Sequence, residues 1–165
     1  MMPNRQAVVH GDTELSHREA GPLYQENLMS PCMKTILFAC VQNAARSQMA
    51  AAFCRESTNP SEVTALSAGT QPADKVDAVV VDAMREVGID LADMKPQPLT
   101  AKLQGETQFL VTMGCGEACP LIPAFRRADW SVPDPAGQPI ERVREIRDEI
   151  RRKVEELVDA RGWRR

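Results

Sequence analysis

Aromatic residues and histidine are scarce in this sequence. Aromatic side chains make up 4% of the 165 residues, and the two histidines, His10 and His17, both lie near the start of the chain. Because a metal site needs several ligands that converge on one point, two histidines in a polar segment without partners are not expected to form one. The sequence therefore predicts no metal centre.

Long apolar runs and an excess of positive charge are also missing. Runs such as Ile36 to Val41 are far shorter than the roughly 20 residues that span a bilayer, and no cationic start followed by an apolar stretch marks export. The formal net charge of −3 provides neither a basic nucleic-acid-binding surface nor a general field that gathers anions. These absences predict a cytoplasmic protein without membrane or nucleic-acid partners, in which any anion site is local.

Cysteine is present five times, an odd number that would leave one thiol unpaired in any disulfide framework. In a reducing compartment, cysteines more often serve packing, metal binding or redox chemistry. The count therefore favours thiol chemistry over a disulfide scaffold.

The chain divides into two parts. Residues 1–32 contain scattered polar residues, glycine and proline without sustained periodicity, which predicts a flexible N-terminal extension. Residues 33–165 have the length and apolar content of one globular domain with a substantial core.

From Lys34 onward, buried-strand patterns alternate with amphipathic-helix patterns. Strands are predicted at Thr35 to Ala39, Glu62 to Leu66, Gln108 to Met113 and Ala128 to Ser131, with a turn at Ser67 to Gly69. Helices are predicted from Arg46 to Glu56, along Val76 to Val87 with Gly88 at the end, and over the segment from Ile140 to Leu157. This alternation predicts a small doubly wound α/β domain, a four-stranded parallel sheet flanked by helices in three layers.

The stretch ACVQNAARSQ, residues 39–48, places Cys40 at the end of the first strand and a cation at the start of a helix. In doubly wound folds, ligands bind beyond the carboxyl ends of the strands, where the free N–H groups and dipole of a helix favour negative charge. We therefore expect this loop to bind a tetrahedral oxyanion. The groups expected to bind it are the N–H groups of Val41, Gln42, Asn43, Ala44 and Ala45 and the guanidinium of Arg46.

The same cation and helix N-terminus favour the thiolate form of Cys40, so that a nucleophile and its anionic ligand share one electropositive loop. Ser47 is expected to donate a hydrogen bond to this thiolate or to the loop, and Asn43 to brace the loop through its side-chain amide. The alternative is that Cys40 is merely a small apolar residue at a strand end. The combined spacing of Cys40, Arg46 and Ser47 favours a catalytic loop.

The sequence CVQNAARSQMAAA resembles the C-x5-R-S loop of the low-molecular-weight protein tyrosine phosphatase superfamily. In that superfamily the cysteine is the nucleophile, the arginine binds the anion, and a later Asp-Pro supplies the general acid. Residues 130–137 read WSVPDPAG, so Asp134 matches the acid, although an Asp-Pro pair also forms turns in ordinary loops. The resemblance covers essentially residues 33–160 and implies these roles for Cys40, Arg46 and Asp134.

Two further cysteines, Cys115 and Cys119, follow the third strand in a loop that contains Gly114, Gly116 and Pro120. Thiols at this spacing can close a disulfide if the backbone brings their Cβ atoms within about 4 Å, and the glycines provide that freedom. Zinc binding lacks ligands here, and a packing role is hard to reconcile with a glycine-rich loop. Redox chemistry is therefore the favoured interpretation.

The motifs CVxNxxRSQMA, TMGCGxACP and DWxxPDPAG together are similar to those of thioredoxin-coupled arsenate reductases built on the phosphatase fold. The resemblance implies a relay in which Cys40 attacks arsenate, Cys115 attacks Cys40 so that arsenite leaves, and Cys119 attacks Cys115. It also implies that thioredoxin or a similar dithiol protein reduces the final disulfide, that phosphate or sulfate is an analogue of arsenate, and that no cofactor is bound. Relatives that use a small thiol such as mycothiol lack the second cysteine pair and fit less well.

Two other functions stay open. A phosphatase acting on phosphotyrosine or another small phosphate ester needs only the cysteine, the arginine and the acid. Phosphotyrosine enzymes typically carry aromatic residues just after the Asp-Pro, where this chain has Ala136 and Gly137, which favours a small inorganic anion. A binding protein that senses oxyanions or redox state is the non-catalytic alternative.

Three other residues are expected to have no chemical role. Ala51 stands where some relatives have a glutamate that helps to bind potassium, so this ion is not predicted. Cys54 lies next to the apolar face of the first helix and is expected to be a packed thiol. Trp130 precedes the acid loop and is expected to anchor it in the core.

Overall fold

The computed structural model describes residues 33–116 and 126–165, and the extension predicted for residues 1–32 lies outside this part of the chain. The elements are β1 (Lys34–Cys40), α1 (Arg46–Ser57), β2 (Val63–Gly69), α2 (Ala78–Arg85), α3 (Ala101–Gly105), β3 (Phe109–Thr112), β4 (Arg126–Asp129) and α4 (Ile140–Arg161). Within the described residues, no helix has both the length and the apolar character needed to cross a membrane.

The strands form one parallel sheet in the order β2-β1-β3-β4, which confirms the predicted four-stranded parallel sheet. β1 lies in the interior of the sheet, and Ile36 to Ala39 are completely buried because β1 has neighbours on both edges and both faces. In the sheet register, Cys40 pairs with Gly69 and Ala39 pairs with Thr112. The carboxyl ends of β1, β2 and β3 therefore meet at one edge, where the fold places its ligand sites.

The side chains of β1 alternate between two apolar clusters, as the pleat of a strand requires. Ile36 and Phe38 belong to the larger cluster, which also contains the buried faces of α1, α2 and α4. Leu37 and Ala39 belong to a smaller cluster on the other face, against which Leu103 of α3 packs. Each large side chain buried in this way contributes about 2 kcal/mol to folding, so the helices on both faces are needed for stability.

The terminal helix α4 follows its predicted pattern except near the end, where Val158 is fully buried and Leu157 only partly. Its fully buried residues are Val143, Ile146, Ile150, Val154 and Val158, at steps of three and four. Gly162 ends the helix in the left-handed conformation with φ 65°, a common helix C-terminus.

The second strand is longer than the sequence pattern predicts. Ser67, Ala68 and Gly69 look like a turn because they are small, but they continue β2 in register with the end of β1. The absence of a side chain at Gly69 has a different cause, because a Cβ atom there would lie 2.6 Å from the Val41 carbonyl oxygen and 2.9 Å from the Asn43 nitrogen. Gly69 lets the loop after β1 pass close to β2.

Two other boundaries differ from the predictions. The strand predicted at Ala128 to Ser131 lies earlier, at Arg126–Asp129, because β4 is an edge strand with exposed arginines and shows little apolar alternation. The helix predicted from Val76 begins at Ala78, since the carboxylate of Asp77 accepts a hydrogen bond from the Val79 N–H and caps it. The short helix α3 carries too few apolar residues for its pattern to predict it.

The expected positions of Cys54 and Trp130 are confirmed. Cys54 is a free thiol, completely buried in the larger cluster. Trp130 is partly buried against the same cluster, and its ring lies 5.9 Å from that of Phe38. Burial raises the pKa of Cys54 from 9.0 to about 11, although Arg55 and a hydrogen bond to Thr58 partly oppose this shift.

The buried Cys54 predicts a loss of stability at alkaline pH. Its thiol loses a proton near pH 9 in the unfolded chain but only near pH 11 in the folded protein, so rising pH favours unfolding in between. Two pKa units correspond to about 2 to 3 kcal/mol, fully present below pH 9 and lost by about pH 11. We expect urea unfolding at a series of pH values to show this extra loss in wild type and not in Cys54→Ala. Parallel pH profiles for the two proteins would contradict the assignment.

Candidate active site

The loop between β1 and α1 is anchored by its carbonyl groups. The carbonyls of Cys40, Val41, Gln42 and Ala44 accept hydrogen bonds of 2.8 to 3.1 Å from the backbone N–H groups of Thr70, Gln71, Ala73 and Asp77. These bonds hold the carbonyls toward residues 70–77. On the other side, the Asn43 N–H donates to Cys40 Sγ over 3.2 Å. The carbonyl groups of the loop are thus occupied on one side while an N–H group faces the sulfur on the other, which is the arrangement that an anion site requires.

Asn43 holds a conformation that few side chains adopt. Its φ is 51°, and it is the single non-glycine residue with positive φ among residues 33–116 and 126–165. Its buried side chain accepts hydrogen bonds from the Gln97 N–H at 2.9 Å and from Gln48 Nε2 at 3.3 Å, and it donates to Ser47 Oγ at 2.8 Å. These three bonds offset the cost of the left-handed backbone, and they hold the side-chain amide of Asn43 where it braces the loop.

Ser47 lies 2.9 Å from Cys40 through its Oγ atom. Because the Asn43 side-chain nitrogen can only donate, Ser47 Oγ accepts that bond and its own proton is free to point at the sulfur. Two donors, the Asn43 N–H and the Ser47 hydroxyl, therefore converge on Cys40 Sγ. This arrangement stabilises a negatively charged sulfur.

Helix α1 begins without a side-chain cap. Its N-cap residue is Ala45, which makes no side-chain hydrogen bond, and the first turn contains no acidic residue. The helix therefore directs free N–H groups and the positive end of its dipole at the loop.

Arg46 joins the loop to the segment that contains Asp134. The Arg46 side chain is 9% exposed; its Nη2 lies 3.3 Å from Asp134 Oδ2, and its Nη1 donates to the Val132 carbonyl at 3.4 Å. The Asp134 side chain is 55% exposed, and its other oxygen accepts from the Ala136 N–H at 3.0 Å. The candidate acid is thus adjacent to the candidate anion-binding group and in contact with water.

A small pocket connects these groups. It is lined by Cys40, Gln42, Ala44, Ala45, Arg46, Asp77, Asp134 and Ala136. Sequence reasoning did not place Asp77 here, because an aspartate before an apolar helix is expected only to cap it. Among the described residues, no aromatic ring lines the pocket, and Ala136 forms part of its wall just after the Asp-Pro. The pocket therefore suits a compact anion better than a phenol ring.

Cys115 lies near the same edge of the sheet, shortly after β3. It is 5% exposed, packs in the smaller cluster with Leu37 and Leu110, and is disulfide-bonded. The expected glycine freedom is confirmed, since Gly114 and Gly116 have φ values of 79° and 55°. The predicted Cys119 lies outside the described residues.

Metal ligands are not gathered in the described part of the chain. Among residues 33–116 and 126–165, no three His, Cys, Asp or Glu side chains could hold an ion together. Ala51 is completely buried in the core, and His10 and His17 lie outside the described residues.

Comparison with known families gives one match over most of the chain. The family described as low molecular weight phosphotyrosine protein phosphatase matches residues 35–162. This range contains all of β1 except its first residue, every later element, and with them Cys40, Arg46 and Asp134.

Individual relatives include reductases and a phosphatase. A Halobacterium salinarum protein provisionally named an arsenate reductase is 39% identical over 126 residues, which cover 74% of this chain and 89% of that protein. The solved thioredoxin-dependent arsenate reductase of Corynebacterium glutamicum is 33% identical with a TM-score of 0.68; the match covers 82% of this chain but only 64% of that one. An arginine phosphatase from Geobacillus stearothermophilus is 25% identical with a TM-score of 0.67, covering 78% of this chain and 93% of that one.

Proposed function

Because the chain belongs to the low molecular weight phosphotyrosine protein phosphatase family, we propose that it is an arsenate reductase that works through a relay of three cysteines. One observation carries the choice of reductase over phosphatase: a disulfide-bonded cysteine, Cys115, follows the strand beside the one that ends in the free thiol of Cys40. Hydrolysis needs no second cysteine. The arsenate reductase names of relatives support the same choice.

The first step joins arsenic to sulfur. The loop N–H groups and the Arg46 guanidinium bind arsenate, and the thiolate of Cys40 attacks the arsenic atom. A sulfur–arsenic bond forms while an arsenic–oxygen bond breaks, and Asp134 donates the proton with which that oxygen leaves as water. The position of Asp134 supports this role, because its side chain is 55% exposed to water and lies 3.3 Å from the anion-binding Arg46.

The second step transfers two electrons to arsenic. The thiolate of Cys115 attacks Cys40 Sγ, a Cys40–Cys115 disulfide forms, and the electrons of the sulfur–arsenic bond stay with arsenic, which leaves as arsenite. Cys119 then attacks Cys115, which yields a Cys115–Cys119 disulfide and restores the Cys40 thiolate. The disulfide-bonded state of Cys115 beside a free Cys40 is consistent with this last product.

The final disulfide needs an external reductant. A thioredoxin-like dithiol protein would return two electrons and two protons, as the name of the Corynebacterium glutamicum relative suggests. Each step is a thiolate displacement, so the relay itself requires no bound redox cofactor. Re-reduction of this kind fits the cytoplasm, where dithiol proteins are kept reduced.

A coupled assay tests the proposal. With thioredoxin, thioredoxin reductase and NADPH, we expect NADPH oxidation that depends on arsenate and stops when either the protein or thioredoxin is left out. Phosphate, which binds the same loop but cannot accept the electrons, should inhibit and not replace arsenate. Arsenate binding without any turnover would contradict the proposal and favour a sensor.

Hydrolysis of a small phosphate ester is the second candidate function. The pairing of Arg46 with Asp134 favours it, because these groups and Cys40 are all that phosphate transfer to sulfur requires. A Cys115→Ser, Cys119→Ser double variant separates the two functions. Undiminished hydrolysis of p-nitrophenyl phosphate by this variant, with no arsenate reduction by wild type, would establish a phosphatase.

A further inference from the structure

Gly114 touches the guanidinium of Arg46. A Cβ atom at position 114 would lie 2.6 Å from Arg46 Nη1 and 3.6 Å from Arg46 Cζ. Cβ atoms do not approach other heavy atoms to 2.6 Å, so any side chain at this position would have to displace the arginine or the backbone. Two chain segments that are distant in sequence thus meet at the anion-binding group.

We propose that Gly114 is a positioning residue for Arg46. Because Gly114 has no side chain, the guanidinium of Arg46 has room to occupy its anion-binding position. The inference rests on the part of the proposed function in which Arg46 binds the oxyanion. It does not depend on whether arsenate is then reduced. It adds a requirement at position 114 that neither the C-x5-R-S loop nor the Asp-Pro motif contains.

The guanidinium has little freedom to avoid a new side chain. Nη1 donates to the Val132 carbonyl, Nη2 pairs with Asp134, and the side chain is almost wholly buried. The backbone of Arg46 begins α1, with the Met49 N–H bonded to the Ala45 carbonyl at 3.0 Å. An added methyl group would therefore displace the fork from its contacts with Val132 and Asp134 and misalign it with an anion.

Another glycine separates this contact from backbone conformation. Gly114 has a φ of 79°, which by itself disfavours other residues. Gly88 has a φ of 84°, and a Cβ atom there would meet none of the described residues within 4 Å. Alanine at position 88 imposes the backbone penalty without the contact, which makes it a matched control.

Phosphate binding tests the inference without any turnover. For Gly114→Ala, we expect calorimetry to give a phosphate Kd raised by about tenfold or more, because a displaced guanidinium loses its charge-assisted bonds to the anion. Gly88→Ala should stay within about threefold of wild type, although its melting temperature falls to a similar extent. A Gly114→Ala variant with wild-type phosphate affinity would overturn the inference. A wild-type protein that binds no phosphate would contradict the anion site itself.

A second readout is insensitive to general loss of stability. Iodoacetate carries a negative charge and iodoacetamide does not, so the ratio of their rates of Cys40 alkylation reports how well Arg46 attracts an anion. We expect this ratio to fall about threefold or more in Gly114→Ala and to stay unchanged in Gly88→Ala. Mass mapping of the Cys40 peptide measures both rates.

A third variant distinguishes contact from conformation and remains useful if Gly114→Ala fails to fold. Asparagine tolerates positive φ but carries a Cβ atom. If the contact matters, Gly114→Asn keeps the weakened phosphate binding and the lowered alkylation ratio. Full recovery of both in Gly114→Asn would show that the glycine serves the backbone alone, and it would overturn the inference.

Discussion

Replacing Cys40 by serine is expected to abolish arsenate reduction, with kcat lowered by roughly 10⁴-fold or more. The Asn43 N–H and the Ser47 hydroxyl converge on the sulfur, at the position where the proposed mechanism needs a thiolate. A serine hydroxyl is not ionised, so these donors would have no anion to stabilise. It also cannot form the disulfide through which two electrons reach arsenic.

The coupled NADPH assay measures this loss, and Cys54→Ala is its matched control. Cys54 is also a buried free thiol that packs from α1, but it belongs to the apolar core, so kcat should stay within about twofold of wild type. Cys115→Ser should also lose multiple turnover, whereas Cys119→Ser should yield roughly one arsenite per protein, because its first two thiols survive. Continuous cycling by Cys119→Ser would contradict the order of the relay.

Replacing Arg46 by lysine is expected to lower kcat/KM for arsenate by about 10²- to 10³-fold. The two terminal nitrogens of Arg46 contact different groups, the Val132 carbonyl and the Asp134 carboxylate. A lysine keeps the positive charge but carries one ammonium on a flexible stem, which cannot present two parallel donors to an oxyanion. We therefore expect the positive charge alone to be insufficient for binding arsenate.

Arg147→Lys is the control for burial and charge. The Arg147 side chain is 9% exposed, as is that of Arg46, and it bonds to the Ala83 carbonyl, Glu86 and Asp148, among residues that do not line the candidate site. We expect this variant to melt at a lower temperature with kcat/KM within about twofold of wild type. If Arg46→Lys also kept kcat/KM within that range, the guanidinium fork would have no part in catalysis.

The fold was predictable from the sequence where the signal is local. The apolar run that becomes β1 and the periodic residues of α4 lie where their patterns predict. A buried strand requires an apolar run, and a buried helix face requires apolar residues at steps of three and four. The prediction of a turn at Ser67 to Gly69 was wrong, because Gly69 lacks a side chain to leave room for the loop after β1 and not to form a turn. The edge strand β4 is mostly exposed, so its sequence shows almost no apolar pattern from which to predict it.

The candidate site shows the same division. Cys40, Arg46 and Ser47 are close in sequence, so their spacing on a strand, loop and helix was enough to predict that they meet. The position of Asp134 against Arg46 came only from the family resemblance, since the two are 88 residues apart. Two other contacts join segments that are distant in sequence, so their sequence neighbours do not predict them. The Gln97 N–H supports Asn43, and Gly114 leaves room for Arg46.

The uncapped start of α1 has a consequence for how the ligand and the fold depend on each other. Ala45 provides no oxygen for the first N–H groups of the helix, so we expect a bound oxyanion to supply the acceptors that a serine or aspartate would supply elsewhere. Binding of the anion and formation of the first turn of α1 are then expected to stabilise each other. A ligand that leaves the loop would also leave the first N–H groups of α1 without acceptors.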